Sequence, residues 1–225
     1  MRLLGAATSA IVLILGFGSA TLKADIPGVT IPNAPVDFGP SFWNLGFEFQ
    51  ANPADINITV AALGNLDFGS PSNLSQPQQV GLWSSSGVLL ASAYITSSST
   101  QIGEFAYTSI TPLLLIAGDY YVVGGQGGAH YSGYAPITVA PQITYIEDRY
   151  TYIGAAADSP AIGPLGLAEP LTTEGLTSTS NAGWFGGSVL LDPPTATPEP
   201  SYYLVLGAAI AALMVMFRAR RRAIA

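Results

Sequence analysis

Short apolar segments with a period of two restrict this chain to β-structure more strongly than any other feature of its sequence. At residues 45–50, leucine and phenylalanine alternate with glycine, glutamate and glutamine, and residues 56–60 repeat the alternation. Such alternation is typical of a strand with one buried face. Residues 25–192 contain neither a helical period of useful length nor an internal repeat. The pattern therefore predicts an all-β body.

Turn residues separate these segments and predict how the strands connect. We expect a hairpin turn at Ser84-Ser-Ser-Gly87, a second hairpin corner at Ala117-Gly-Asp119, and a flexible loop at the glycine-rich residues 124–128. Many short strands with such turns favour an antiparallel two-sheet sandwich, jelly-roll-like, formed by one domain over residues 25–192. Further strands are expected at residues 80–83, 88–95, 105–110, 120–123, 143–146, 150–153 and 183–191.

Charge is scarce in the chain and mostly negative. Only 9% of the residues are charged and 49% are hydrophobic, which argues against intrinsic disorder. Between residues 25 and 197, Arg149 is the one basic residue against thirteen carboxylates, a net charge of −12. Because phosphate binding needs clustered lysine and arginine, nucleic acid is excluded as a partner. The acidic surface suits divalent cations or solubility outside the cell.

Two residue types that carry much enzyme chemistry are nearly absent. The chain has no cysteine, which excludes a disulfide scaffold and a thiol nucleophile, and His130 is its only histidine. No Gly-x-Ser-x-Gly elbow and no EF-type calcium loop occurs. We therefore expect no cofactor, no metal ion and no enzymatic activity. A secreted glycan hydrolase remains an alternative because it needs only two paired carboxylates; the candidates are Glu48, Glu104, Glu147, Asp148 and Asp158.

Aromatic side chains support a different alternative, a secreted carbohydrate-binding module. Exposed indole and phenol rings can stack on sugar rings, but the same residue types also fill sandwich cores and cover sheet edges. For any single ring the core interpretation is favoured. The candidates are Trp43, Trp83, Trp184, Tyr145, Tyr150 and Tyr152.

Residues 1–24 have the three-part pattern of a secretory signal peptide. A positively charged start precedes the apolar residues 3–17, and small residues follow them. Cleavage fits after Ala20 or Ala24, and we prefer Ala24 because it leaves a polar segment before the cut and an acidic mature start. The pattern implies export through the secretion translocon and cleavage by signal peptidase. An uncleaved anchor helix is the alternative.

Residues 193–225 divide into three segments of different chemistry. Residues 193–201 form a proline-rich extended linker, residues 202–217 are uncharged and almost wholly apolar, and residues 218–225 carry four arginines. As a transmembrane helix the apolar segment spans about 24 Å, and the flanking tyrosines and arginines extend its reach across the bilayer. The arginines keep the tail in the cytoplasm, which places the body outside.

These three segments resemble the PEP-CTERM sorting signal of Gram-negative bacteria that make extracellular polymer. The resemblance implies recognition by an exosortase-like membrane protease, removal of the tail, and transfer of the body to the cell envelope or extracellular matrix. Before processing, the helix anchors the protein in the inner membrane. An ordinary C-terminal membrane anchor is the alternative. The residues that carry the resemblance are Pro198, Glu199, Pro200, Arg218, Arg220, Arg221 and Arg222.

A second resemblance covers much of the body. Residues 45–49, 80–83, 87–92, 107–113 and 117–124 are similar to an uncharacterised β-sandwich domain that is frequent in exported PEP-CTERM proteins. That resemblance implies a fold and no activity. Together, these features predict an exported structural or adhesive protein of the envelope, matrix or biofilm, with extracellular polysaccharide as a candidate partner.

Overall fold

The computed structural model describes residues 24–32, 43–55, 57–67, 77–126, 132–133, 136–152 and 167–193, with positions 210, 213 and 214. The predicted signal peptide before Ala24, the Pro198-Glu199-Pro200 motif and the four arginines of the tail lie outside the described residues, as do His130 and Asp158. Within the described part of the chain, no helix is long and apolar enough to cross a membrane.

Regular structure in the described residues is almost entirely β-strand. The strands are β1 (Ile26–Pro27), β2 (Val29–Thr30), β3 (Trp43–Ala51), β4 (Ile58–Leu66), β5 (Gln78–Ser84), β6 (Leu89–Ile95), β7 (Thr100–Ile102), β8 (Phe105–Leu115), β9 (Tyr120–Gln126), β10 (Ser132–Gly133), β11 (Thr138–Val139), β12 (Ile143–Tyr152), β13 (Trp184–Phe185) and β14 (Gly187–Leu191).

Two five-stranded antiparallel sheets share one hydrophobic core. The front sheet has the strand order β12-β3-β9-β5-β6, and the back sheet has the order β1-β14-β4-β8-β7. Two short pairs, β10 with β13 and β11 with β2, lie beside them. Phe47 and Phe49 of the front sheet join Leu63 and Phe105 of the back sheet in the same buried cluster. The prediction of an all-β, antiparallel fold is confirmed, and the arrangement is sandwich-like.

The alternation at residues 45–50 corresponds to the two faces of β3. Leu45, Phe47 and Phe49 are buried on the inner face, whereas Glu48 and Gln50 are half-buried on the outer face. Burying each phenylalanine stabilises the fold by about 1.5–3 kcal/mol. The hydrophobic effect therefore fixes which face of this central strand meets the back sheet.

Two predicted connections are wrong, and the pairing of the strands explains both. The sequence predicts separate strands at residues 143–146 and 150–153, but β12 runs continuously, with a register shift between Tyr145 and Glu147. This β-bulge interrupts the alternation of inward and outward side chains. In the sequence, such an interruption looks the same as the end of a strand. The Ala117-Gly-Asp119 turn joins β8 of the back sheet to β9 of the front sheet, so it connects the two sheets and does not close a hairpin.

The glycine-rich segment expected to be a flexible loop is partly strand. Gly124, Gly125 and Gln126 belong to β9, where they pair with β3. Glycine is required at Gly125 because a Cβ atom there would lie 2.3 Å from the side-chain oxygen of Asn65 on the opposite sheet. Gly125 therefore allows the two sheets to approach closely at this end.

Candidate functional site

A cleft of about 190 Å³ opens beside β12, the edge strand of the front sheet. Trp43 and Leu45 line it from β3, Tyr150 lines it from β12, and Trp184 lines it from β13. Glu174, from the connection between β12 and β13, completes the lining. We call this site the aromatic cleft.

The strand register places these side chains together. Leu45 stands opposite Tyr150 and Trp43 opposite Tyr152 in the antiparallel pair of β3 and β12. Because side chains alternate along a strand, both pairs share the inner face with Phe47, which belongs to the core. The aromatic cleft is therefore the continuation of the inner face beyond the last filled layer of the core.

The aromatic rings of the cleft meet at steep angles. The ring of Trp43 lies 5.6 Å from that of Tyr150 at an interplanar angle of 73°, and 4.8 Å from that of Tyr152 at 58°. Trp43, Tyr150 and Trp184 are half-buried, and Tyr152 is 54% exposed. The rings therefore pack on one another while retaining accessible surface.

Residues 167–176, which we call the strap, cross the outer face of the front sheet and turn around the edge of β12. The side-chain amide of Asn44 donates a hydrogen bond of 2.6 Å to the carbonyl of Ala168. Pro170 lies close to Gly124: a Cβ atom added to Gly124 would be 2.3 Å from the proline ring. Tyr150 and the strap residue Thr172 then exchange two backbone hydrogen bonds of 2.7 and 2.9 Å. The strap thus covers part of the β12 edge, which would otherwise offer unpaired backbone groups.

The buried carboxylate of Asp148 fixes the end of the strap that reaches the cleft. It accepts hydrogen bonds from the backbone N–H groups of Glu174 and Leu176, at 3.2 and 3.0 Å, and from the hydroxyl of Thr173 at 3.1 Å. Such charge-assisted bonds are stronger than neutral ones. The backbone of Glu174 is therefore held at the mouth of the cleft.

A second buried group orders the segment that carries Trp184. The phenol of Tyr145 donates to the carbonyl of Ala182 and lies 3.3 Å from that of Leu176. Burial raises the pKa of Tyr145, and the nearby charges of Asp148 and Glu147 raise it further. The phenol therefore keeps the proton that it donates. It holds the segment between Leu176 and Ala182, which leads into β13, close to Tyr145 of β12.

The structure divides the six aromatic candidates into two groups. Trp43, Trp184 and Tyr150 line the cleft, and Tyr152 packs against Trp43. Tyr145 is 7% exposed and Trp83 is 4% exposed. Tyr145 belongs to the core, and Trp83 lies on the outer face over glycines of β5 and β9, beside the strap.

The carboxylate candidates lie elsewhere. Glu48 and Glu147 stand opposite each other on the outer face of the front sheet, where both pair with Arg149. Asp148 is buried beneath the strap, and Glu104 lies between β7 and β8. None of these four lines the cleft.

Sequence reasoning missed Glu174, the one acidic residue in the cleft lining. It is an exposed glutamate in an irregular segment, with no periodic pattern around it. Only the hydrogen bonds from the strap to Asp148 place it beside the tryptophans. Among the described residues, no three histidine, aspartate or glutamate side chains are grouped to hold a metal ion.

The chain matches no family model, no curated protein and no solved structure. Half-buried indole and phenol rings offer surface on which an apolar ring face can stack, and a carboxylate accepts hydrogen bonds from hydroxyl or ammonium groups.

Proposed function

We propose that this chain is an exported envelope protein, sorted and processed by an exosortase-like protease, with a structural or adhesive role at the cell surface or in the extracellular matrix. The observation that carries the proposal is the order of three segments in residues 193–225. A linker containing Pro198-Glu199-Pro200 precedes an apolar segment of marginal spanning length, and an arginine cluster follows it. Each segment has a different chemistry, so their combination in this order is a more specific signal than the tripeptide alone.

The proposal also covers the rest of the chain. The signal helix of residues 1–24 is removed after Ala24, residues 202–217 span the inner membrane until processing, and the body forms a jelly-roll-like sandwich outside. The net charge of −12 between residues 25 and 197 favours solubility there. The body has no enzymatic activity in this proposal.

Processing is tested in the native host with an antibody against the body. We expect the wild-type chain to be shortened and to leave the inner membrane. A variant with alanine at Pro198, Glu199 and Pro200 should stay full-length in that membrane. The matched control replaces Pro193 and Pro194 by alanine, because it changes the same linker outside the motif. Equal processing of all three proteins would disprove the role of the motif.

Saccharide binding by the body is a second candidate function, and the aromatic cleft supports it. Trp43, Tyr150 and Trp184 are half-buried around a concavity of about 190 Å³. This volume is below that of sites for drug-sized ligands, so it suits a single ring or a chain end. A screen of the purified protein against immobilised polysaccharides tests this function, and absence of binding to every polysaccharide would end it.

A further inference from the structure

We propose that the aromatic cleft selects sugars that carry a protonated amino group over acetylated, neutral and acidic sugars. This inference rests on the proposed saccharide-binding function and adds the chemical class of the ligand. Three properties of the cleft carry it: the sign of its charge, the angle between its rings and the way in which its acidic residue is held.

The charge around the cleft is negative. Glu174 is the charged residue among the five that line it. The buried carboxylate of Asp148 lies directly behind, where it accepts a hydrogen bond from the backbone of Glu174. The guanidinium of Arg149 is on the outer face of the sheet, paired with Glu48 and, at 2.7 Å, with Glu147. A positively charged ligand group therefore meets an unlike charge at the cleft.

An acidic sugar finds no counter-charge in this lining. Its carboxylate would approach Glu174 on a body whose one basic residue, Arg149, is already paired with two carboxylates. Repulsion between like charges is an effective way to reject a wrong ligand. The same charges that reject a uronate attract an ammonium group.

The rings are arranged for a compact cation as well as for a sugar ring. Trp43 and Tyr150 meet at 73°, so they form a corner rather than a flat platform. A cation within about 6 Å of an aromatic face is attracted by the quadrupole of the ring, most strongly for tryptophan. In an amino sugar the ammonium group is attached to a ring with an apolar face. One ligand can therefore stack on one wall and place its charge between the other wall and Glu174.

The backbone of Glu174 is held in place before any ligand arrives. Asp148 fixes it, and Thr172, two residues earlier, is bonded twice to Tyr150. Less order is lost on binding when the backbone that carries the recognition group is already held, which leaves more of the interaction available for affinity.

The test is calorimetric titration of the purified full chain in detergent. The ligands are oligomers of glucosamine, of N-acetylglucosamine and of galacturonic acid, with tetramethylammonium as a cation that lacks a sugar ring. We expect the glucosamine oligomer to bind about fivefold more tightly than its acetylated counterpart at about pH 6. The preference should disappear at about pH 9.5, where the amine is neutral.

Glu174→Gln should abolish the preference for the amino sugar while leaving binding of the acetylated oligomer. The matched control is Glu104→Gln. It removes the same charge from the turn between β7 and β8, where β7 is an edge strand of the back sheet. That variant should keep the preference.

Equal affinity for the acetylated and free-amine oligomers would overturn the inference, and so would tightest binding of the acidic oligomer. Both results would leave saccharide binding intact. Binding of tetramethylammonium without any sugar would overturn the inference together with saccharide binding by the cleft. Absence of all binding would have the same consequence.

Discussion

Glu48 and Glu147 stand directly opposite each other on strands β3 and β12, and the guanidinium of Arg149 contacts both carboxylates. Like charges at opposed positions destabilise a sheet. The three side chains are only 15–22% exposed, so water screens them incompletely. Arg149 therefore permits an edge strand to pair where two acidic residues face each other.

Replacing Arg149 by methionine should lower the free energy of unfolding by about 1–3 kcal/mol, because two partly buried carboxylates lose their counter-charge. Urea denaturation measures the change. The control introduces Arg149→Met into a protein that already carries Glu48→Gln and Glu147→Gln, where the cost should be clearly smaller. The same cost in both backgrounds would show that packing of the arginine, not charge, stabilises the pair.

Asp148→Asn should destabilise the fold by about 2–4 kcal/mol and release the strap. The carboxylate accepts three hydrogen bonds in a buried site, and an amide group turns one acceptor into a donor facing N–H groups. Limited proteolysis between residues 167 and 176 detects the release, and denaturation measures the stability. The exposed Asp119→Asn is the control. If the strap of Asp148→Asn were cleaved at the wild-type rate, the role of Asp148 in holding the strap would be contradicted.

Alkaline pH should unfold the protein, partly because of two buried phenols. Burial raises the pKa of Tyr107 and of Tyr145 above the ordinary value of 10.0. Above about pH 10 the unfolded chain loses these protons while the native chain keeps them, so stability falls as pH rises. Tyr107 also lies 3.3 Å from the hydroxyl of Ser188.

Tyr107→Phe should therefore lower the free energy of unfolding by about 1 kcal/mol at neutral pH. From about pH 9 to about pH 11, the stability of the variant should fall less steeply than that of the wild type. Urea denaturation across this range gives both values. Tyr94→Phe, at a position that is 54% exposed, is the control. Identical slopes for the wild type and Tyr107→Phe would exclude Tyr107 as a source of the alkaline transition.

Trp43→Ala and Trp184→Ala should each weaken saccharide binding about tenfold, because each removes a ring from the cleft lining. Trp83→Phe should leave the affinity unchanged, since that ring is buried over glycines of β5 and β9 on the outer face. Titrations with one polysaccharide fragment compare the three variants. A loss with Trp83→Phe as large as with the cleft variants would place the binding site elsewhere.

The core strands follow from the sequence because period-two burial is a local property. Residues 45–50 predict both the strand and its inner face, and Ser84-Ser-Ser-Gly87 predicts the hairpin that joins β5 to β6. The bulge in β12 is less accessible to sequence reasoning, since a register shift depends on the partner strand. The turn after β8 has the residues of a hairpin corner, and only the sheet order shows that it changes sheets.

The candidate site is less predictable from the sequence than the core. Whether an aromatic ring faces a cleft, the core or the outer surface depends on strand parity and on what covers it, which separates Trp43 from Trp83. Glu174 reaches the cleft through hydrogen bonds to Asp148, twenty-six residues earlier in the chain. Such long-range contacts leave no periodic signal in the sequence.

Mass spectrometry of the mature protein from its native host tests the proposed sorting most directly. We expect its C-terminus to lie before Tyr202, with no peptide from residues 218–225 in the mature form. Deletion of the exosortase gene should restore those peptides. Mature protein that carries an intact Arg218-to-Ala225 tail in every molecule would contradict sorting by this route.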